Sequence, residues 1–258
     1  MATPEADYII VGGCAWASCL HQEDDSLDIL IIEAGLDPSG NPNTTTPAGA
    51  FTLIGSDIDW AYPSVPQPNT SDRVHILHAG KALGDGSVIN YGGWIRADAS
   101  DYNEWARIVG DDHWSFKGLL PFSRRTEHYF DVNANPEIHG FNGPMYITAV
   151  SASDPERKYG LYEPVREAWS EIGVDYNPEP SSGSRLGIYE FLENWRDRKR
   201  QPAHLAYSLE DVKVITGAAA YPIIFSKDSA GNKVATTVLV SDGRNLQHEK
   251  RSFFQLEL

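Results

Sequence analysis

An apolar run of four residues, Tyr8-Ile9-Ile10-Val11, ends abruptly at Gly12-Gly13. Few openings constrain a chain more, because β-branched and aromatic residues that stop at a glycine pair read as a buried strand entering a tight turn. From Cys14 to Gln22 the spacing predicts a short helix with Trp16, Cys19 and Leu20 as its apolar side. A second apolar run, Leu27 to Ile32, closes on Glu33-Ala34-Gly35. Strand, glycine turn, helix, strand and acidic residue are the order of a dinucleotide-binding βαβ unit.

The turn itself departs from the G-x-G-x-x-G pattern. It reads Gly12-Gly13-Cys14-Ala15-Trp16-Ala17, so Cys14 replaces the second glycine and Ala17 the third. The second glycine normally lets backbone approach a pyrophosphate, and a side chain there obstructs it. Alone, such a turn serves a generic buried strand as well as a nucleotide site. Glu33, roughly 20 residues beyond the turn, strengthens the second reading, because a carboxylate at that strand end can accept both hydroxyls of an adenosine ribose.

A second glycine cluster runs Gly84-Asp85-Gly86-Ser87 and continues Val88-Ile89-Asn90-Tyr91-Gly92-Gly93. Glycines at this density allow main chain to lie along a flat ligand. A flexible surface loop is the plain alternative, and Val88 and Ile89 argue for burial instead. Between the clusters, residues 36–73 carry Pro, Gly, Asn and Thr and read as a long excursion with little regular structure. Ser100 and Ser115 are positioned as helix caps, and Glu163-Pro164 opens a third helix that stops at Gly173. Strands are predicted over 212–216, 221–227 and 233–241, the last two joined through Gly231-Asn232.

Composition removes several function classes. Twenty-one Lys and Arg stand against 36 Asp and Glu, a formal charge of -15, so the protein's own field opposes a nucleic-acid backbone. No apolar run approaches the roughly 20 residues of a membrane span. With no basic, apolar leader at the N-terminus, a cytoplasmic location is expected. Two cysteines, Cys14 and Cys19, make neither a disulfide framework nor a zinc site, and the eight histidines show no metal spacing, so no metal is expected. The run Arg196-Asp197-Arg198-Lys199-Arg200 reads as a solvated face.

Taken together, these segments resemble the glucose-methanol-choline (GMC) family of flavin oxidoreductases, especially its fungal branch. The resemblance rests on Asp7 to Gly13, Ile31 to Gly35, Gly80 to Gly84 and Ser87 to Gly92. It continues through Asp101-Tyr102-Asn103-Glu104-Trp105-Ala106, His113 to Phe122 and Gln201-Pro202-Ala203. It implies an α/β fold, a partial FAD-binding Rossmann-like βαβ domain followed by the start of an α+β substrate-binding domain. The implied divisions are 1–97 for the FAD-binding segment, 98–207 for a partial substrate region, 208–244 for returning FAD-domain strands and 245–258 for a tail outside the family. It also implies FAD as cofactor, held by Gly12 and Gly13 at the pyrophosphate and by Glu33 and Ala34 at the ribose. Gly84, Gly86, Ser87, Asn90, Tyr91 and Gly93 would lie along the pyrophosphate and flavin, and Ala220 would offer a main-chain contact to adenine.

The reaction implied is hydride transfer from a small-molecule alcohol to flavin, in a fungal setting in secondary metabolism, while a histidine base takes the hydroxyl proton. No residue of this chain matches that base, since His248 sits in the tail, so no catalytic residue is assigned. Three departures accompany the match. Compared with the family's usual glycine turn, the resemblance implies that the stretch between Gly13 and Glu33 is about three residues short, in the part that cradles phosphate. Asp85-Gly86 stands where the family has Gly-Ser, and a like-charge contact at 4 Å costs on the order of 4 kcal/mol at an effective dielectric of about 20. The sequence after Arg244 reads as unrelated, so a truncated chain with weakened or lost FAD binding is expected, with a partner chain supplying the missing half. A silent remnant and a repurposed non-redox small-molecule binding protein are the alternatives.

Overall fold

The computed structural model describes residues 5–254 except 14, 47, 155 and 158. The chain divides into two compact units, residues 1–91 with 202–258, and residues 92–201. The sequence reading had placed these divisions at 97 and 207.

The first unit is built on strands β1 (Glu5–Val11), β2 (Ile29–Ile32), β3 (Lys213–Ile215), β4 (Ala220–Lys227), β5 (Lys233–Val240) and β6 (Asn245–Phe254). Their order across the sheet is β3-β2-β1-β6-β5-β4. β3, β2, β1 and β6 run parallel, whereas β5 and β4 are antiparallel. β2 is buried along its whole length, as a parallel strand covered on both faces must be. Its alternation splits the core: Leu30 and Ile32 join Ile9, Val238 and Leu246 on one face, and Ile29 and Ile31 join Ile10 and Ala17 on the other.

β6 corrects the expectation that residues beyond 244 lie outside the domain. Its first residues pair antiparallel with β5 (Leu239 opposite Asn245), and its length then pairs parallel with β1, from Glu5 opposite Gln247 to Val11 opposite Phe254. The segment lacks the continuous apolar run of β2, so its central position was hidden from pattern reading. Here β6 fills the centre of the sheet, and β4 forms one edge with Tyr221, Ile224 and Phe225 exposed.

Helix α1 (Trp16–Glu23) follows the glycine turn, as predicted, and of its expected apolar side Leu20 packs on the core while Trp16 and Cys19 do not. Ala17 and Ser18 are buried, while Trp16 is 64% exposed and Cys19 is exposed. Small side chains let the helix lie close on the sheet, and this close approach outweighs the hydrophobicity of tryptophan. Helix α2 (Gly86–Ile89) is a single turn within the second glycine cluster, anchored by buried Val88 and Ile89.

In the second unit, a three-stranded sheet of Glu127–Tyr129, Met145–Ala149 and Leu192–Glu193 is accompanied by helices Ala99–Val109, Phe116–Thr126 and Tyr162–Glu171. Ser115 caps the second helix by accepting from the Gly118 amide at 3.1 Å, as expected. The first helix is capped by Asp98 instead of Ser100, because the carboxylate of Asp98 accepts from the Ser100 amide at 2.9 Å.

This unit is pinned by buried charge. Arg96 Nη2 lies 2.6 Å from Glu127 Oε1, and Trp94 Nε1 donates to the same oxygen at 3.0 Å. His139 bridges Glu127 (3.3 Å) and Glu179 (3.0 Å) while stacking on Tyr129 with 3.6 Å between ring centroids. Burial disfavours a charged His139, but its bonds to Glu127 and Glu179 prevail and raise its pKa. Burial likewise opposes ionisation of Glu127, yet His139, Arg96 and Trp94 hold its pKa below the usual value.

The Arg196–Arg200 run is a hairpin, Trp195–Arg196 against Lys199–Arg200, with Asp197 and Arg198 at positive φ in its turn. The reading as a solvated face fails at Arg200, which is 2% exposed and whose pKa is pulled down to about 10 by desolvation. Arg200 pairs with Trp195, and strand alternation turns both inward.

Candidate functional site

Within the first unit the two glycine clusters meet. Gly12 adopts φ +97, a conformation favouring glycine, and its amide bonds to Ile32 O at 2.9 Å, so the turn leaves β1 alongside the end of β2. Gly84, at φ +102, donates its amide to Gly13 O at 2.6 Å. Both glycines at the joint are there for space. A Cβ on Gly13 would lie 2.6 Å from Leu83 Cδ1 and 2.9 Å from Glu33 Oε2, and one on Gly84 would lie 2.5 Å from His204 Nδ1. Cys14 lies outside the described residues.

Glu33 sits at the centre of this joint with no exposed surface. Its Oε2 accepts from the Gly13 amide and its Oε1 from the Gly35 amide, each at 2.7 Å. Its main chain is engaged as well: the Glu33 amide donates to Ile215 O at 2.8 Å, and its carbonyl accepts from the Ala218 amide at 3.0 Å. Burial raises the Glu33 pKa, the two glycine amides pull it back, and the charge of Asp85 adds to the rise. Each oxygen of a carboxylate accepts more than one hydrogen bond, and both oxygens here are turned into the joint and away from solvent. Ala34 is half-buried beside it, and Gly35 packs so tightly that a Cβ would fall 1.9 Å from Lys81 O.

The second cluster separates into members that support the loop and members that face outward. Ser87 supports it, because its hydroxyl donates to Gly84 O and accepts from the Ala203 amide at 2.8 Å. Gly86 is the opposite, with no heavy atom within 4 Å of where its Cβ would stand, so its backbone is open to an approaching group. Asn90 is exposed at the end of α2, where its amide bonds to Gly86 O at 3.0 Å, and exposed Tyr91 sets its ring 4.8 Å from that of Phe51. Gly93 belongs to the second unit, where a Cβ would stand 2.6 Å from the Phe191 ring. Asp85 carries the strain, at φ +51 and ψ -142, and burial raises its pKa. Such conformations cost non-glycine residues of order 1–3 kcal/mol.

Ala220 is drawn into β4, opposite Val240, and the backbone brought to Glu33 is that of Ala218. Two further neighbours escaped sequence reading: His204, against Gly84, and Leu83, against Gly13. Gln201-Pro202-Ala203 was the available signal for the first, and Leu83 carried none.

The GMC oxidoreductase family profile matches residues 6–254. The chain belongs to this family. The GMC oxidoreductases are FAD-dependent, and the match runs through β6, so the segment read as an unrelated tail lies within it up to residue 254. Among curated relatives, the GMC-type oxidoreductase acuG of Aspergillus aculeatus is 34% identical over 241 residues, covering 92% of this chain and 41% of the relative. An oxygen-dependent choline dehydrogenase of Pectobacterium atrosepticum is 37% identical over 231 residues, 86% of this chain and 40% of that protein. Among solved structures, pyridoxine 4-oxidase from Mesorbium loti superposes with a TM-score of 0.85 at 24% identity, covering 96% of this chain and 49% of the other. The chain therefore spans under half the length of these GMC proteins.

The geometry of the joint fits the dinucleotide of this family: a turn that only glycine allows, a carboxylate tied to that turn, and an open backbone at Gly86. Among the described residues, Asp85 opposes it. Among the described residues no group of His, Cys, Asp and Glu is arranged to hold a metal ion, and no helix is long and apolar enough to cross a membrane.

Proposed function

We propose that this chain is the FAD-binding portion of an oxidoreductase that oxidises the CH–OH group of a small alcohol, in fungal secondary metabolism. The observation that carries the reading is the joint at Glu33, where the glycine turn and the glycine loop are tied together by the Gly84–Gly13 bond and by the two amides on one buried carboxylate. Bound FAD supplies the hydride acceptor. The chain's own residues orient it: Glu33 accepts the ribose hydroxyls, Ala34 and Ala218 border them, and Gly12 and Gly13 give room to the pyrophosphate. Gly84 and Gly86 run along the same ligand, with Asn90 and Tyr91 toward its ring end. Ser87 acts on the loop alone.

The fungal relatives, among them acuG and a dehydrogenase from Monascus ruber, support the fungal setting. Purified protein tests the reading directly. Yellow protein that releases one FAD per chain on denaturation, or apoprotein that takes up FAD on titration, is the expected result. A chain that melts cooperatively, is colourless and leaves flavin fluorescence unchanged refutes it and favours a non-redox binding protein.

A further inference from the structure

Asp85 is fixed by its backbone. Its amide donates to Ala82 O at 2.8 Å, its carbonyl accepts from the Val88 amide at 2.8 Å, and a Cβ on Gly80 would come within 2.3 Å of its carbonyl carbon and oxygen. The preceding residue is clamped to Gly13 O, and Ser87, two residues on, to Ala203. The loop therefore has no slack with which to carry Asp85 elsewhere, and a glycine-favouring conformation is imposed on a residue that resists it. The position lies between Gly84 and Gly86, along the stretch whose backbone is open.

Glu33, at the end of β2, is close enough for Asp85 to raise its pKa, and the Gly86 amide is the group that favours the ionised form of Asp85. His204 packs on Gly84, and Lys81 places its ammonium 4.9 Å over the Trp60 ring.

We propose that Asp85 sets the affinity of this chain for its dinucleotide and ties FAD uptake to proton uptake, the carboxyl group having to become neutral as the diphosphate arrives. The inference rests on the FAD reading above. Burial supports it, because Asp85 takes its proton at a pH where exposed aspartates are still ionised. The diphosphate adds negative charge beside the group and draws protonation to still higher pH, which is the linkage that appears as pH-dependent affinity.

The test is FAD titration of the whole chain, followed by flavin fluorescence and calorimetry at pH 5.5 and pH 8.0, for the natural sequence, Asp85→Asn and Asp85→Gly. Asp85→Gly also relieves the backbone, so one neutral variant remains folded if the other does not. The natural chain is expected to bind FAD at least about tenfold more weakly at pH 8.0 than at pH 5.5. Both variants should bind at pH 8.0 as the natural chain does at pH 5.5, with little slope between. Variants with the natural affinity and the natural slope overturn the proposal. Variants that gain affinity but keep the slope overturn the proton linkage and assign it to Glu33. Absence of FAD binding by every folded form at both pH values refutes the FAD reading itself, and the role of Asp85 falls with it.

Discussion

Replacing Glu127 by alanine tests whether buried charge holds the second unit together. Arg96 and Glu127 are 6% and 1% exposed at their side chains, with 2.6 Å between the charged atoms. At an effective dielectric of about 20, that separation corresponds to roughly 6 kcal/mol of gross attraction. Arg96 keeps the carbonyls of Ile138 (2.8 Å) and Ser181 (3.3 Å) in the variant, and these neutral acceptors offset only part of the loss. The Trp94 indole N–H is orphaned at the same time. Breaking one side of a buried pair typically costs about 3–5 kcal/mol, and the variant is expected in that range. Urea unfolding followed by near-ultraviolet circular dichroism gives the figure from the midpoint at constant slope. The companion Arg96→Met with Glu127→Leu, which removes both charges, should recover most of it. A loss under about 1 kcal/mol for Glu127→Ala, or a double variant as unstable as the single, would refute the reasoning.

Three further outcomes follow from the geometry. Gly35→Ala places a methyl 1.9 Å from Lys81 O, against backbone that cannot rotate aside, and should cost toward the upper end of about 1–3 kcal/mol in thermal unfolding; a variant as stable as the parent would show that the Glu33 joint can open. Ser87→Ala orphans the Ala203 amide and should destabilise by about 1–2 kcal/mol while leaving FAD affinity nearly intact, whereas a large affinity loss would make its hydroxyl a ligand. For pH, His139 is raised in the fold, so its contribution is complete below the ordinary imidazole value of 6.5 and is lost as pH rises through the folded value. Glu127 is lowered, so its contribution is complete above 4.5 and is lost as pH falls. The melting temperature of the parent minus that of His139→Gln should therefore be largest between these values and shrink on the alkaline side; a constant difference would remove His139 as the titrating group.

The sequence made the parallel core and the meeting of Glu33 with a glycine turn readable, because continuous apolar runs and glycines at strand ends have few other uses. Ile29 to Ile32 could hardly be anything but a covered strand. The helix after the turn was placed correctly and Leu20 faces the core as its spacing suggests, but hydrophobicity favoured Trp16 where packing distance favoured Ala17 and Ser18. β6 escaped because a strand with polar residues through its middle has no periodic signature. At the site, spacing found Glu33 but not what its carboxylate holds, and Ser87 looked like a ligand when its hydroxyl serves the loop. His204 and Leu83 could not be found by spacing, because chain distance says nothing about which side chain fills the space above a glycine.

The pairing of β1 with β6 also bears on how the protein is made. Glu5 lies opposite Gln247, so the second edge of β1 is covered only by a strand far along the chain. Contacts this distant in sequence pay their loop-closure entropy before any stabilisation is returned, which slows folding. Until then, Tyr8 to Val11 presents an apolar edge to whatever strand is near. The sheet of the first unit should thus complete late and all at once.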